Sequence, residues 1–568
     1  MKNDERTISR SGWNIFSGRR RLASGKTQLS LVLLIIAAVF LSSCAKQGRR
    51  DEIALNNANV SVIPGTDAPK TMGNVSSASD AMQEREEAPG FNTEGYSHID
   101  ENPFLEVARA PLSTFSIDVD TASYSNTRRF LKDGQLPPKD AVRIEELVNY
   151  FSYDYPQPVG KAPFSVTAEI SEAPWNPAHR LVHIGLQGRR VSMENLPPAN
   201  LVFLLDVSGS MNDPRKLPLV KSAMKVLTEQ LAARDRVAMV VYAGSSGLVL
   251  PSTPGDRKGE ILAAIDRLEA GGSTNGGHGI QLAYKIAQEN FIKNGVNRVI
   301  LATDGDFNVG VTNEGDLVRL IEEKRQSGVF LSVLGFGTGN VKDSTMEKLA
   351  DKGNGNYAYV DSLAEARKVL GEQIGGTLFT IAKDVKIQVE FNPKQVAAYR
   401  LIGYENRLLR DQDFNDDKKD AGEIGAGHTV TALYEVVPFG QKFENPGVDP
   451  LKYQEPVKTS ELANSNEMMT VKLRYKEPAE DQSKLISVSL ADSKGNLSAA
   501  SENFRFASAV AAFGMLLRDS KYKADASYNK VLELAQASRG SDQQGYRSEF
   551  IQLVETARML SSQRASRE

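Results

Sequence analysis

The chain has 568 residues, too many for one hydrophobic core; at roughly 100–200 residues per domain it implies about three or four units. Hydrophobic residues at 40% and charged residues at 24% are ordinary for globular segments. Lys and Arg number 68 against 71 Asp and Glu, and no basic stripe with interleaved aromatics occurs, so nucleic acid is not an expected partner.

Arg19, Arg20, Arg21 and Lys26 precede an apolar run from Leu29 to Leu41, followed by the small residues of "LSSC". A basic region, an apolar region and small residues in that order predict an export signal. The apolar run is about thirteen residues, short of a bilayer-spanning helix. "LSSC" resembles the lipobox of bacterial lipoproteins, in which the signal (1–43) is removed and Cys44 carries the lipid. A short signal anchor with an incidental cysteine is the alternative. The lipoprotein reading also accounts for a lone cysteine in an exported chain, since a thioether forms no disulfide. It implies a bacterial cell envelope location, and Ala45 in place of Asp favours the outer membrane over the inner. From 44 to 100 the chain is polar and poor in aromatics, and it reads as a flexible tether.

An N-terminal segment (101–160) follows, with a strand expected at Thr114–Val119 and helices at Ser123–Lys132 and Arg143–Phe151. Two strand-like stretches occupy 161–198. From 199 to 381 apolar strands alternate with amphipathic helices near 216–232, 258–270, 278–291, 314–327, 344–352 and 363–376. That alternation predicts an α/β unit, a doubly wound and mainly parallel sheet of Rossmann-like type. Residues 382–500 read as strands of an antiparallel sandwich, and 501–568 as helices with apolar stripes at Phe506, Val510, Phe513, Leu517 and at Tyr546, Phe550, Leu553, Ala557, Leu560. The strands on either side of the α/β unit are expected to share one sandwich, making that unit an insertion.

In such sheets ligands bind beyond the carboxyl ends of the strands. Asp206 ends "LVFLLD" and Asp304 follows "VILAT". Thr274 lies in the Gly-rich "AGGSTNGG" ahead of a helix. Ser208 and Ser210 alternate on the turn after Asp206, which Gly209 helps to close. Carboxylate and hydroxyl oxygens suit a hard cation.

"DVSGSM", with Thr274 and "TDGD" downstream, resembles the von Willebrand factor type A domain and its metal-ion-dependent adhesion site. The resemblance implies a metal set of Asp206, Ser208, Ser210, Thr274 and Asp304. It implies that the serines and Thr274 bind directly and the two aspartates through water, with an open position that accepts a partner's carboxylate. The expected ion is Mg²⁺, with Mn²⁺ or Ca²⁺ as alternatives. "PLSTFSIDVDTASYSNTRRFL" before the domain and "YRLIGYENRLLRDQDFNDDKKDAGEIGAGHTVTALYE" after it resemble a bacterial lipoprotein family that flanks one such domain with its own N-terminal segment and C-terminal domain.

Competing motifs fail on spacing. A Ser208 or Ser210 nucleophile needs a base, and only His278 is near in sequence. "IDVDTAS" places Ala122 where a haloacid dehalogenase phosphatase needs Thr or Val, so Asp120 or Thr121 is expected to cap a helix. "DQDFNDDKKDAGE" has Asp416 where a Ca²⁺ loop needs Gly and Gly422 where it needs Glu, and it reads as an acidic loop. The expected protein is therefore not an enzyme. It is a membrane-anchored adhesion or binding module for a protein partner presenting an acidic residue, with no small-molecule substrate evident. An envelope scaffold with a structural metal site is the second reading, and a metal-dependent hydrolase a distant third.

Overall fold

The computed structural model of the chain describes residues 93–117, 120–243, 245–271, 276–305, 314–441 and 459–566. The expected signal, Cys44 and the tether up to residue 92 lie outside these residues. Over 93–100 the flexible-tether expectation is corrected, because the Thr93 N–H donates to the Gly339 carbonyl at 2.7 Å, Gly95 bridges to Lys342 and Glu94 pairs with Arg129 at 2.9 Å. No helix among the described residues is long and apolar enough to cross a membrane.

The N-terminal segment forms β1 (Leu105–Glu106), β2 (Leu112–Ser116), α1 (Ala122–Lys132) and α2 (Ile144–Asn149). The capping expectation for α1 is not met. Thr121 stands at the cap without a side-chain hydrogen bond. Asp120 instead accepts the Tyr357 backbone N–H at 2.7 Å, while Glu146 from α2 accepts the Ser123 N–H at 2.8 Å. A tertiary carboxylate satisfies the helix start because Asp120 is engaged by another part of the molecule. The hairpin β3 (Phe164–Ala173) and β4 (Asn176–Gly188) follows.

The α/β unit runs through β5 (Ala199–Asp206), α3 (Leu217–Gln230), β6 (Arg236–Tyr242), β7 (Ser246–Pro254), α4 (Lys258–Asp266), α5 (Gly276–Glu289), β8 (Val296–Thr303), α6 (Glu314–Arg325), β9 (Phe330–Gly335), α7 (Asp343–Lys352) and β10 (Tyr357–Tyr359). Its sheet has the order β10-β9-β8-β5-β6-β7 and is parallel except for β7. Strand alternation divides β5 between two cores: Leu201, Phe203 and Leu205 pack on one side, Val202 and Leu204 on the other. Leu217, Val220, Met224 and Leu227 repeat at helical spacing along the inward face of α3.

The single helix expected over 363–376 is instead α8 (Leu363–Arg367), a π-turn over Lys368–Glu372 and α9 (Ile374–Leu378). Gly371, Gly375 and Gly376 weaken the helix there. His428 packs so closely on Gly376 that a Cβ would stand 2.1 Å from its ring.

The remaining strands are β11 (Thr380–Phe391), β12 (Val396–Ile402), β13 (Gly422–Gly425), β14 (Thr429–Pro438), β15 (Glu467–Lys476) and β16 (Lys484–Ala491). One sheet has the order β1-β12-β14-β4-β3; the second is β13-β11-β15-β16, with β2 also on β11. The strand before the α/β unit thus pairs with a strand after it, Ile184 of β4 opposite Ala432 of β14. Both sheets contribute to one core, with Val182, Ile184 and Tyr434 from the first and Ile387, Val389 and Leu473 from the second. The α/β unit is inserted between parts of this sandwich.

The chain ends in α10 (Glu502–Arg518), α11 (Tyr528–Ala537) and α12 (Tyr546–Ala565). They share a core with α1 and α2. Phe151 meets Phe506 edge-on at 4.9 Å and Phe550 at 5.6 Å.

Candidate metal centre

The site is built from strand ends. All eight residues of β5 are buried, and its last, Asp206, has no exposed surface. The chain then turns sharply. The Ser208 N–H donates to Asp206 Oδ1 at 2.9 Å, and a short 3₁₀ turn over Gly209–Met211 brings Ser208 Oγ to 3.1 Å from Ser210 Oγ. Ser208 is buried while Ser210 is exposed, so the group opens to the surface at Ser210.

β8 delivers the second carboxylate. Thr303 Oγ1 donates to Asp206 Oδ2 at 3.3 Å, tying the two strand tips together, and accepts the Gly305 N–H at 3.0 Å. Asp304 is fully buried and is hydrogen-bonded by Ser210. Gly305 adopts φ of 94°, and a Cβ there would stand 2.6 Å from the Lys342 nitrogen, so this turn admits only glycine. The Gly271 N–H donates to the Val207 carbonyl at 2.8 Å, fixing the start of the Gly-rich loop against the serine turn. Thr274 itself lies outside the described residues. Asp206, Ser208, Ser210 and Asp304 therefore converge on one sheet edge.

Two participants were not legible in the sequence. Lys216, the residue before α3, extends its ammonium to Asp304 Oδ2 at 2.9 Å and to Asn340 Oδ1 at 3.1 Å. Asn340 follows β9 in the chain. No spacing in "MNDPRK" announces a lysine folding back onto a carboxylate 88 residues away.

The carboxylates differ electrostatically. Burial pushes Asp206 up to about 6, an effect the Ser208 hydrogen bonds offset only in part and the Asp304 charge reinforces. Burial also pushes on Asp304, but hydrogen bonds from Asn340 and Lys216 and the lysine charge overcome it and hold Asp304 below the usual range. Among the described residues no group of three or more His, Cys, Asp or Glu is placed to hold a metal. Any ion here depends on hydroxyls as much as on carboxylates. Two buried carboxylates facing two hydroxyls form an all-oxygen set, the donor chemistry of a hard divalent cation.

The acidic loop at 411–423 is spoken for. Asp411 accepts the Thr114 hydroxyl at 2.9 Å, Asp413 pairs with Arg410 at 2.8 Å, and Asp417 accepts from Ser483.

Residues 200–372 match the von Willebrand factor type A domain family, residues 376–560 a family described as "Uncharacterized protein YfbK, C-terminal", and residues 90–183 one described as "von Willebrand factor". YfbK of Escherichia coli (strain K12) is 46% identical over 472 residues, covering 82% of this chain and 81% of that protein. The chain belongs to the YfbK family of von Willebrand factor type A domain proteins. Inter-alpha-trypsin inhibitor heavy chain H4 of Homo sapiens is 31% identical over 163 residues, 27% of this chain and 17% of that protein. A solved von Willebrand factor type A structure from Catenulispora acidiphila, 18% identical, covers 69% of this chain and 90% of its own with a TM-score of 0.38. Domains of this type are associated with protein–protein interaction.

Proposed function

We propose that this protein is a lipid-anchored component of the bacterial envelope whose von Willebrand factor type A domain binds a protein partner through a divalent cation, Mg²⁺ before Mn²⁺ or Ca²⁺. The observation that carries this reading is the pair of buried carboxylates, Asp206 and Asp304, at a strand edge that reaches solvent through exposed Ser210. When bound, the ion supplies one open coordination position for an acidic side chain of the partner. Asp206 supplies negative charge, the Ser208 and Ser210 hydroxyls supply neutral oxygens, and Asp304 adds a second carboxylate. Residue 274 supplies the remaining hydroxyl in this reading.

Affinity capture from envelope extracts tests it. A partner retained in Mg²⁺, and lost both with chelator and with Asp206→Ala, supports the reading. A partner retained under both treatments supports the second reading instead, an envelope scaffold. That reading draws on the way Arg128 joins Asp361 and Glu365 of the α/β unit to Glu549 of α12, locking several segments into one body. Lipid attachment at Cys44 is tested by Cys44→Ala, which is expected to release the protein from outer-membrane fractions.

A further inference from the structure

Lys216 is an unusual occupant of a cation site. Its side chain is 10% exposed and its partner Asp304 carboxylate not at all, so solvent screens this pair little. The approach is sculpted. The lysine stem lies across Gly337, where a Cβ would stand 2.4 Å from Lys216 Cε. Gly337 adopts φ of 79°, and its carbonyl accepts the Tyr359 hydroxyl, which fixes the floor under the stem. Asn340 accepts a second hydrogen bond from the same ammonium. Three loops thus meet on one positive charge: the turn after β5, the end of β8 and the loop after β9. The neighbouring lysines of α3 do something else. Lys221 reaches the Asp266 carbonyl and Lys225 the Asp266 carboxylate, both away from the strand edge.

We propose that Lys216 is a tethered counter-ion of the metal site: its ammonium neutralises Asp304 in the ion-free protein and opposes the entry of a divalent cation. The inference rests on the metal reading above and adds the group that sets its affinity. A fixed positive charge on one of the two carboxylates lowers the attraction of the set for a second cation, because like charges a few ångströms apart in a poorly hydrated pocket repel strongly. The same charge removes the cost of leaving Asp304 buried and unpaired when no ion is present. The edge can then stay assembled without metal and take up the ion only where its concentration is high.

The test is calorimetric titration of the full-length protein with MgCl₂ and MnCl₂, for wild type, Lys216→Met, Lys216→Gln and Asp206→Ala. Thermal unfolding is followed in chelator and in Mg²⁺. Lys216→Met is expected to bind Mg²⁺ about tenfold tighter or more. It should unfold at lower temperature than wild type in chelator and gain more from added Mg²⁺. Lys216→Gln keeps hydrogen-bonding capacity without charge and should show the same tightening, so the inference stays testable if the methionine variant misfolds. Ion binding by wild type that is lost in Asp206→Ala, with equal or weaker binding in both Lys216 variants, overturns this inference alone. No binding by wild type or either Lys216 variant overturns the metal reading and this inference together.

Discussion

Two regions of the molecule bury carboxylates in different ways. At the junction between the N-terminal segment and the α/β unit, arginines meet them. Arg143 lies 2.5 Å from Asp343, and Arg128 lies within 3.0 Å of Asp361, Glu365 and Glu549. At the sheet edge, among the described residues, Asp206 receives a backbone N–H and hydroxyl donors, and Asp304 one lysine beside hydrogen bonds from Asn340 and Ser210. Arginine presents several donors in a fixed fork and keeps its charge when buried, so the junction is fastened permanently. The edge keeps one carboxylate short of positive charge. Buried acids whose titration is shifted by incomplete compensation gather at functional sites. The junction is not free of tension. Glu347 is raised to about 7 by burial despite Arg143 and Arg407 beside it.

Breaking the junction should have the largest effect. Arg143→Ala leaves Asp343 and Glu146 buried without their partner, and roughly 3–5 kcal/mol of stability should be lost in denaturant unfolding. A loss under about 1 kcal/mol would erase the distinction between the regions.

Charge at the edge should act in the opposite sense. Asp206 titrates at about 6 when folded against an ordinary 3.8, so the folded state holds its proton more tightly. Its contribution is therefore fully favourable below pH 3.8 and falls away as pH rises through 6, by about 3 kcal/mol in all. Asp206→Asn should abolish this fall and, in chelator above pH 6, exceed wild type in stability; a less stable variant there would contradict the view of Asp206 as under-compensated.

A neutral buried base sharpens the contrast. His183 in the sandwich is held at about 4 by burial, below its ordinary 6.5, while its Nε2 lies 2.9 Å from the Tyr155 hydroxyl. The unfolded chain binds this proton first as pH falls. The stabilisation is complete above pH 6.5 and shrinks towards pH 4, roughly 2 kcal/mol by pH 5. Urea titrations of wild type and His183→Gln at pH 5 and pH 7 read it. An equal pH dependence in both would remove His183 from the account.

The smallest effect on stability belongs to Ser210. Changed to Ala, this exposed residue loses its hydrogen bond to buried Asp304 at a cost of about 1 kcal/mol, and Mg²⁺ binding should weaken measurably.

Much of this was legible from residue order. Strand–helix alternation in 199–381 announces the α/β unit. The textures before and after it announce strands whose pairing, β4 on β14, is observed. The order Asp206, Ser208, Ser210 and Asp304 fits convergence because parallel strands send their carboxyl ends to one edge. The rest depended on contacts between distant segments. Asp120 reads as a cap by local rules but is claimed by the Tyr357 N–H. The helix over 363–376 gives way to a π-turn at Lys368–Glu372, and Gly376 of α9 lies against His428 of the sandwich. The apolar stripes of α1, α2 and α10–α12 carry no label saying that opposite ends of the chain share one core. Lys216 was invisible for the same reason, since its role exists only once Gly337 and Asn340 stand beside it.

Partner binding in this reading depends on a divalent cation at the β5–β8 edge. The most direct measurement is titration of the chelator-treated wild-type protein with Mg²⁺, beside Asp206→Ala and Ser208→Ala. One ion bound per wild-type chain, and none by either variant, is the predicted result; a wild-type chain that binds no divalent ion, or variants that bind it as well as wild type, would contradict it.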